Sequence, residues 1–103
     1  MKLHWTKRIA YTVGVEELAE THGAYWLIDA IASHLMYSHV AGESFQVWNL
    51  EVKGTAATLS MTDGNGDTAI VTQHIEYTDF PPPGCELWLV LGEVWVLMTP
   101  GEY

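Results

Sequence analysis

The residues of this chain that could carry chemistry are few. In DGNGDT (63–68), Asp63, Asn65 and Asp67 fall at positions 1, 3 and 5 of an EF-hand-like loop, where oxygen ligands would hold calcium. Position 6 is Thr68 rather than the required Gly, and position 12 is His74 rather than a bidentate Glu. No helical pattern flanks the run. It reads as a hairpin turn, because Asn-Gly tolerates the positive φ that a tight turn demands. Five histidines, His4, His22, His34, His39 and His74, raise the question of zinc. His34 and His39 are five apart, off the i, i+4 spacing that would put two ligands on one helical face. No His-Glu-x-x-His, paired-cysteine or Cys/His cluster exists, so the histidines read as scattered surface residues. No metal and no cofactor are expected.

Nucleophiles fare no better. Cys85 directly follows PPPG and opens a strand-like run with no catalytic signature around it, so it reads as a structural thiol. Ser38, Ser44 and Ser60 lack the nucleophile-elbow pattern. GNG (64–66) neither precedes a Lys nor opens a helix, which removes a phosphate cradle. No catalytic residue is assigned and the chain reads as non-enzymatic. Asp29 is the acid to watch, a carboxylate in an otherwise apolar stretch. It must reach water at an edge or be held by a partner such as Tyr25 or a backbone amide. With Tyr25 and Trp26 it could line an aromatic small-ligand pocket against a sheet. An enzyme would need Asp29 brought to His34 or His74.

These residues must be positioned by a small set of elements. GAYWLIDAIASHLMYS (23–38) carries Ala24, Leu27, Ile28, Ile31 and Leu35 at i, i+3, i+4, i+7 and i+11, one helical face. Trp26, Ala30, Ser33 and Tyr37 form a flanking stripe. This helix should be the rod on which a sheet packs. Before it, Thr12 reads as an N-cap, Glu16 and Glu17 favour the positive end of a helix dipole, and Gly23 ends a first helix. Trp5, Ile9 and Tyr11 are apolar enough to tuck back onto the core. His39 to Ser44 reads as a linker.

From Phe45 the period becomes two. FQVWNLEVK (45–53), AATLSMTD (56–63), DTAIVTQHIEY (67–77), CELWLVL (85–91) and EVWVLM (93–98) read as strands joined by Gly54, by DGNG, by the rigid TDFPPPG (78–84) and by Gly92–Glu93. Successive strands with short turns predict an antiparallel meander. Residues 1–103 therefore read as a single α+β domain, two N-terminal helices packed on a five-stranded antiparallel meander sheet. In the last hairpin, Leu87, Leu89 and Leu91 oppose Trp88 and Val90, and Trp95 and Leu97 oppose Val94, Val96 and Met98. Both faces are apolar, so the second needs the N-terminal arm, a second copy in a homodimer, or a partner to cover it.

Charge narrows the class of partner. The 103 residues hold 13 acids against 4 bases, a net charge of −9. Lys2, Lys7, Arg8 and Lys53 are the only bases; Asp63, Asp67, Glu76, Asp79, Glu86, Glu93 and Glu102 follow uncompensated. Such a chain makes no direct contact with nucleic acid, whose phosphates need Lys and Arg. A basic protein surface suits it, through complementary fields. The expected partner-binding residues are Asp63, Asp67, Glu76, Asp79, Glu86 and Glu93, with Trp88 and Trp95 as hot spots if exposed beside them. No apolar run reaches membrane-spanning length and no signal-peptide core is visible, so no membrane partner is expected and the expected location is the bacterial cytoplasm, which suits a lone cysteine.

Several fragments together resemble an uncharacterised bacterial family, the one catalogued as domain of unknown function 6876: YTVGVEELAE (11–20), GAYWLIDAIAS (23–33), FQVW (45–48), DGNG (63–66), IEYTDFP (75–81) and PGEY (100–103). The chain differs from that pattern at its start, which looks short, and at Gly101, where the family usually has Ser. The family has no known site to carry over. Proteins similar to this one occur in bacteria and on their phages and mobile elements. The resemblance implies a counter-defence role, including inhibition of a CRISPR effector subunit by acids that mimic DNA phosphates.

Overall fold

The computed structural model describes residues 1–66 and 68–103 of the chain. Helix α1 (Val13–His22) begins where Thr12 Oγ1 accepts the Val15 N–H at 3.4 Å, and ends at Gly23, φ 59°, whose N–H returns to the Ala19 carbonyl. Both ends are as the cap residues predict. Helix α2 (Tyr25–His34) follows at once. All five residues of the expected inner stripe, Ala24, Leu27, Ile28, Ile31 and Leu35, are buried. The helix nevertheless stops four residues before Ser38. Leu35, Met36 and Tyr37 turn back onto the carbonyls of Ala32, Ser33 and His34, a tightening that ends the α-helical ladder. The expected linker instead contains one helical turn, α3 (Ser38–Ala41), with Val40 buried.

Gln46 fastens that turn to the sheet. Its side chain is fully buried, its amide donates to the carbonyls of Val40 and Glu43 at 2.8 and 2.9 Å, and its Oε1 accepts the Trp48 indole N–H at 2.9 Å. Every polar atom is satisfied, which is what burying an amide requires.

The five-stranded antiparallel meander is corrected to a seven-stranded mixed sheet; the α+β class stands. The strands are β1 (Lys2–Leu3), β2 (Ile9–Tyr11), β3 (Phe45–Lys53), β4 (Ala56–Thr62), β5 (Val71–Ile75), β6 (Gly84–Leu91) and β7 (Trp95–Met98), in the order β1-β2-β7-β6-β3-β4-β5. Two departures make the difference. The N-terminal segment adds two strands, and β2 pairs parallel with β7, Ile9 opposite Trp95. Strand β6 lies beside β3, not β5, with Trp48 opposite Leu87. The segment 78–83 carries the chain across the β3–β4 turn, pinned by Thr78 N–H to the Thr55 carbonyl and Val52 N–H to the Pro83 carbonyl. Gly84 then enters β6 at φ 114°, where a Cβ would overlap the Leu50 carbonyl oxygen. Only glycine fits there.

The expected strand over 67–77 shortens to β5, which pairs antiparallel with β4 as the hairpin reading expects, Met61 opposite Val71, but across a connection longer than DGNG. Gly64 takes φ 85° and the Asp63 carboxylate accepts the Asn65 N–H at 2.9 Å, an Asx turn that opens the longer connection to Val71. Asp67, the expected first residue of that strand, lies outside the described residues.

Among the described residues, the three α-helices pack on one face of the sheet. Trp48, Leu50, Val52, Leu59, Met61, Leu87, Leu89 and Leu97 form the sheet side of a single core with Val15, Leu27, Ile28 and Ile31. Ile9 joins it, and Tyr11 packs against it, as expected; Trp5 does not, and is 77 % exposed. No helix among the described residues is long and apolar enough to cross a membrane.

Candidate functional site

Alternation along the strands decides what the opposite face of the sheet presents. With Trp48, Leu50, Leu87 and Leu89 turned to the helices, Phe45, Val47, Asn49, Glu86, Trp88, Val90, Val96 and Met98 must point the other way. Register makes them neighbours: Val47 is opposite Trp88 and Thr62, Trp88 opposite Met98, Val90 opposite both Phe45 and Val96, and Asn49 opposite Glu86. Phe45, Trp88 and Tyr103 meet edge-on with ring centroids 5.4 to 5.7 Å apart. Such contacts are the preferred geometry of aromatic pairs. Phe45, Val47, Trp88, Val90, Val96 and Met98 are half-buried on the face away from α1, α2 and α3; the single 3-10 turn Pro100–Glu102 contacts β6, and Tyr103 directly after it packs on Phe45 and Trp88. The Trp88 indole N–H donates to Glu86 Oε2 at 2.9 Å, which holds the carboxylate beside the aromatic cluster.

The structure brings together only some of the expected partner-binding residues. Trp88 and Glu86 are adjacent on this open face. Asp63, just beyond β4, and Glu93, in the β6–β7 turn, both lie at the Phe45 end of the sheet, since Val47 pairs with Thr62 and Phe45 with Val90. Glu76 and Asp79 follow β5 at the opposite end, where Ala57 pairs with Ile75, and Asp79 accepts the Tyr77 hydroxyl at 2.7 Å. Trp95 points to the helix side and packs against the core. Asp67 is outside the described residues. Lys2–Glu16 at 3.6 Å and Lys53–Glu51 at 3.4 Å are the ion pairs made by lysine among the described residues, so Asp63, Glu76, Asp79, Glu86 and Glu93 have no Lys or Arg within 4 Å there.

A second feature surrounds Asp29. Its carboxylate is held neither by Tyr25 nor by a backbone amide, and it meets neither His34 nor His74. Instead Oδ1 accepts from His4 Nε2 at 2.6 Å and from the Trp5 indole N–H at 3.0 Å. His4 is 5 % exposed, which corrects the reading of the histidines as surface residues. His34 likewise bonds Gln73 Oε1 at 2.8 Å, half-buried. Tyr25 turns away to donate to Glu20 Oε1 at 3.0 Å; desolvation first, and then that bond and charge, push its phenol up to about 12. Trp26 packs against the core edge. Of the expected pocket trio only Asp29 borders a groove, about 530 Å³ in volume, whose other walls are His4, Trp5, Thr6, Arg8, Ala32, Ser33 and Met36. The N-terminal contribution escaped the sequence reading because a two-residue strand and a turn leave no periodicity. The one usable signal was that an acid on a helix needs donors, and His4 and Trp5 were available.

Among the described residues no group of three or more His, Cys, Asp or Glu is placed to hold a metal ion. Burial pushes the Cys85 thiol up to about 11, so it stays protonated at neutral pH and is a poor nucleophile.

A family-level sequence model described as a family of unknown function (DUF6876) matches residues 1–103. No curated protein and no solved structure matches the chain.

Proposed function

The chain belongs to that family of unknown function, DUF6876, and we propose that it is a small non-enzymatic acidic inhibitor that docks on a basic, nucleic-acid-binding protein surface. We place it with the proteins of phages and mobile elements that counter host defence, an anti-CRISPR protein acting on an effector subunit in the bacterial cytoplasm. The observation that carries the reading is the open sheet face. It has an aromatic and aliphatic centre, Phe45, Trp88, Val90 and Tyr103, with Glu86 inside it and Asp63 and Glu93 at its end. An apolar centre with a charged rim is the anatomy of a protein-binding patch. No Lys or Arg follows position 53, so nothing on β4 to β7 would repel a basic partner.

The experiment is capture of host proteins on the tagged chain, followed by a DNA-binding or cleavage assay of the captured complex. A defence effector should be recovered at low salt, shed at high salt and inhibited at about one-to-one stoichiometry. Glu86→Lys and Glu93→Lys should each weaken it several-fold, and Trp88→Ala at least about tenfold. Indifference of affinity to salt and to both reversals would overturn the mimicry. A homodimer through the same face has the opposite salt dependence, because two copies of net charge −9 repel one another less as salt rises.

A second reading, a small-ligand binding module, is favoured by one specific observation, the groove bordered by Asp29 and Arg8.

A further inference from the structure

We propose that this groove takes a small amphoteric molecule, one ammonium and one carboxylate on an apolar body, as in an apolar α-amino acid. The proposal rests on the second reading above and names its ligand class.

The argument is an accounting of polar atoms. His4 Nε2 is directed at Asp29 Oδ1 at 2.6 Å, and His4 Nδ1 lies 2.7 Å from the Thr6 hydroxyl and 3.2 Å from the Thr6 N–H, so both ring nitrogens are engaged within the protein. The Trp5 indole N–H is spent on Asp29, and the Ser33 hydroxyl on the Ala30 carbonyl at 2.6 Å. Two charged groups in the wall are left over. Asp29 engages only Oδ1, and only with ring N–H donors, while its side chain is 52 % exposed; Oδ2 has no partner among the described residues. The Arg8 guanidinium likewise has no carboxylate within 4 Å and no hydrogen bond among the described residues, so these two opposite charges share a groove without pairing.

The remaining wall is apolar. Trp5 is fixed by its N–H and 77 % exposed, so a ring face is presented; Met36 is 68 % exposed and Ala32 closes the floor. A concave, largely apolar site with a few fixed polar groups is the ordinary form of a small-molecule site. An ammonium satisfies Asp29 Oδ2 and a carboxylate takes the planar fork of Arg8. The apolar body lies between the indole and the thioether, both of which favour such contact. An anion alone leaves Asp29 unmatched, and a cation alone is repelled by Arg8.

The test is titration of the full chain with L-leucine, L-methionine and L-phenylalanine to about 10 mM, a range that reveals millimolar affinity. The readout is the Trp5 indole N–H resonance, identified by Trp5→Phe. Parallel titrations use leucinamide, which lacks the carboxylate, and 4-methylpentanoate, which lacks the ammonium. Saturable shifts of Trp5 with a zwitterion are expected, with each half-ligand about tenfold weaker. Asp29→Asn keeps an oxygen for His4 and Trp5 yet should abolish the advantage of the ammonium; Arg8→Gln should abolish that of the carboxylate. Unchanged indole signals from the other tryptophans report that these variants fold. If half-ligands bind as well as the zwitterions, the groove is a ligand site but the class is wrong. If none of the five probes moves Trp5, both the class and the ligand-binding reading fall.

Discussion

Glu102 shows how much one side chain can organise. Its Oε1 accepts the Thr12 hydroxyl at 2.6 Å and the Thr99 N–H and hydroxyl at 2.9 and 2.8 Å, while Oε2 accepts the Gly14 N–H at 3.1 Å. It therefore supplies an anion to the first turn of α1, where free N–H groups and the dipole favour one. Partial desolvation alone would raise its pKa; the bonds from Thr12, Thr99 and Gly14 outweigh it and hold the carboxyl down at about 2. A carboxylate with a depressed folded pKa stabilises above its ordinary value, near 4.5, and loses that contribution as pH falls toward 2. Acid titration followed by circular dichroism should show Glu102→Gln with less stability than the parent at pH 7 and a flatter decline below pH 4.5. Gly14 belongs to the same device, since a Cβ there would sit 2.7 Å from the Glu102 carboxylate. Gly14→Ala should displace that side chain and cost about 1 kcal/mol, the worth of a cap. Combining it with Glu102→Ala should cost less than the sum, because both remove one interaction. Denaturant melts of the two singles and the double measure this. Gln46 is a sharper case: Gln46→Leu would leave the Trp48 N–H and two carbonyls without their buried partner, a loss of about 2–4 kcal/mol in the same melts.

Among the elements, β3 is paired along both edges, while β1 and β5 are edge strands. Native-state hydrogen exchange should find the amides of Trp48 to Val52 slowest and those of Leu3 and Val71 to Ile75 much faster. Gly84→Ala, driven into the Leu50 carbonyl, should separate β6 from β3 and cost about 3 kcal/mol or more, read as a fall in melting temperature. The elements also explain what was legible beforehand. The stripe of α2, the caps of α1 and the alternation of β3, β4 and β6 are local patterns, and each appears as read. Strand order is not local. Successive strands favour a meander, but the Pro-rich segment 78–83 is long enough to carry β6 past β5 and β4 to the free edge of β3, and no local pattern reports that choice. The Asp29 groove was half visible for the same reason: the acid lies on a strongly periodic helix, whereas His4, Trp5 and Arg8 lie in a turn closed by His4 and Ile9 backbone bonds. The Asn-Gly signal marked the β4–β5 hairpin, but the Asp63 carboxylate accepts the Asn65 N–H and the connection runs longer than a tight turn.

At the scale of the whole molecule, the Lys and Arg residues are segregated along the chain. Lys2, Lys7 and Arg8 lie on the N-terminal segment, Arg8 in the groove wall and Lys2 paired with Glu16, whereas β4 to β7 and their connections carry no Lys or Arg. Association of the open face with a basic target should therefore slow by about tenfold or more between low and physiological salt, with dissociation changing less; stopped-flow mixing measures it. Sedimentation at low salt should find the free protein monomeric, the mutual repulsion of two acidic copies opposing contact through that face.

The parallel pairing of β2 with β7 and the cap given to α1 by Glu102 also set an order in time. Synthesis proceeds toward the C-terminus, so Ile9 to Tyr11 emerges with β1 but without β7 on its other side, and α1 emerges without its anion. Both partners arrive some 85 to 90 residues later. Until Trp95 to Glu102 is available, Ile9 has no sheet to join and the core has an open flank. The nascent protein must then depend on whatever shields that flank, and a ribosome stalled before Trp95 would release a chain that is a substrate for proteases.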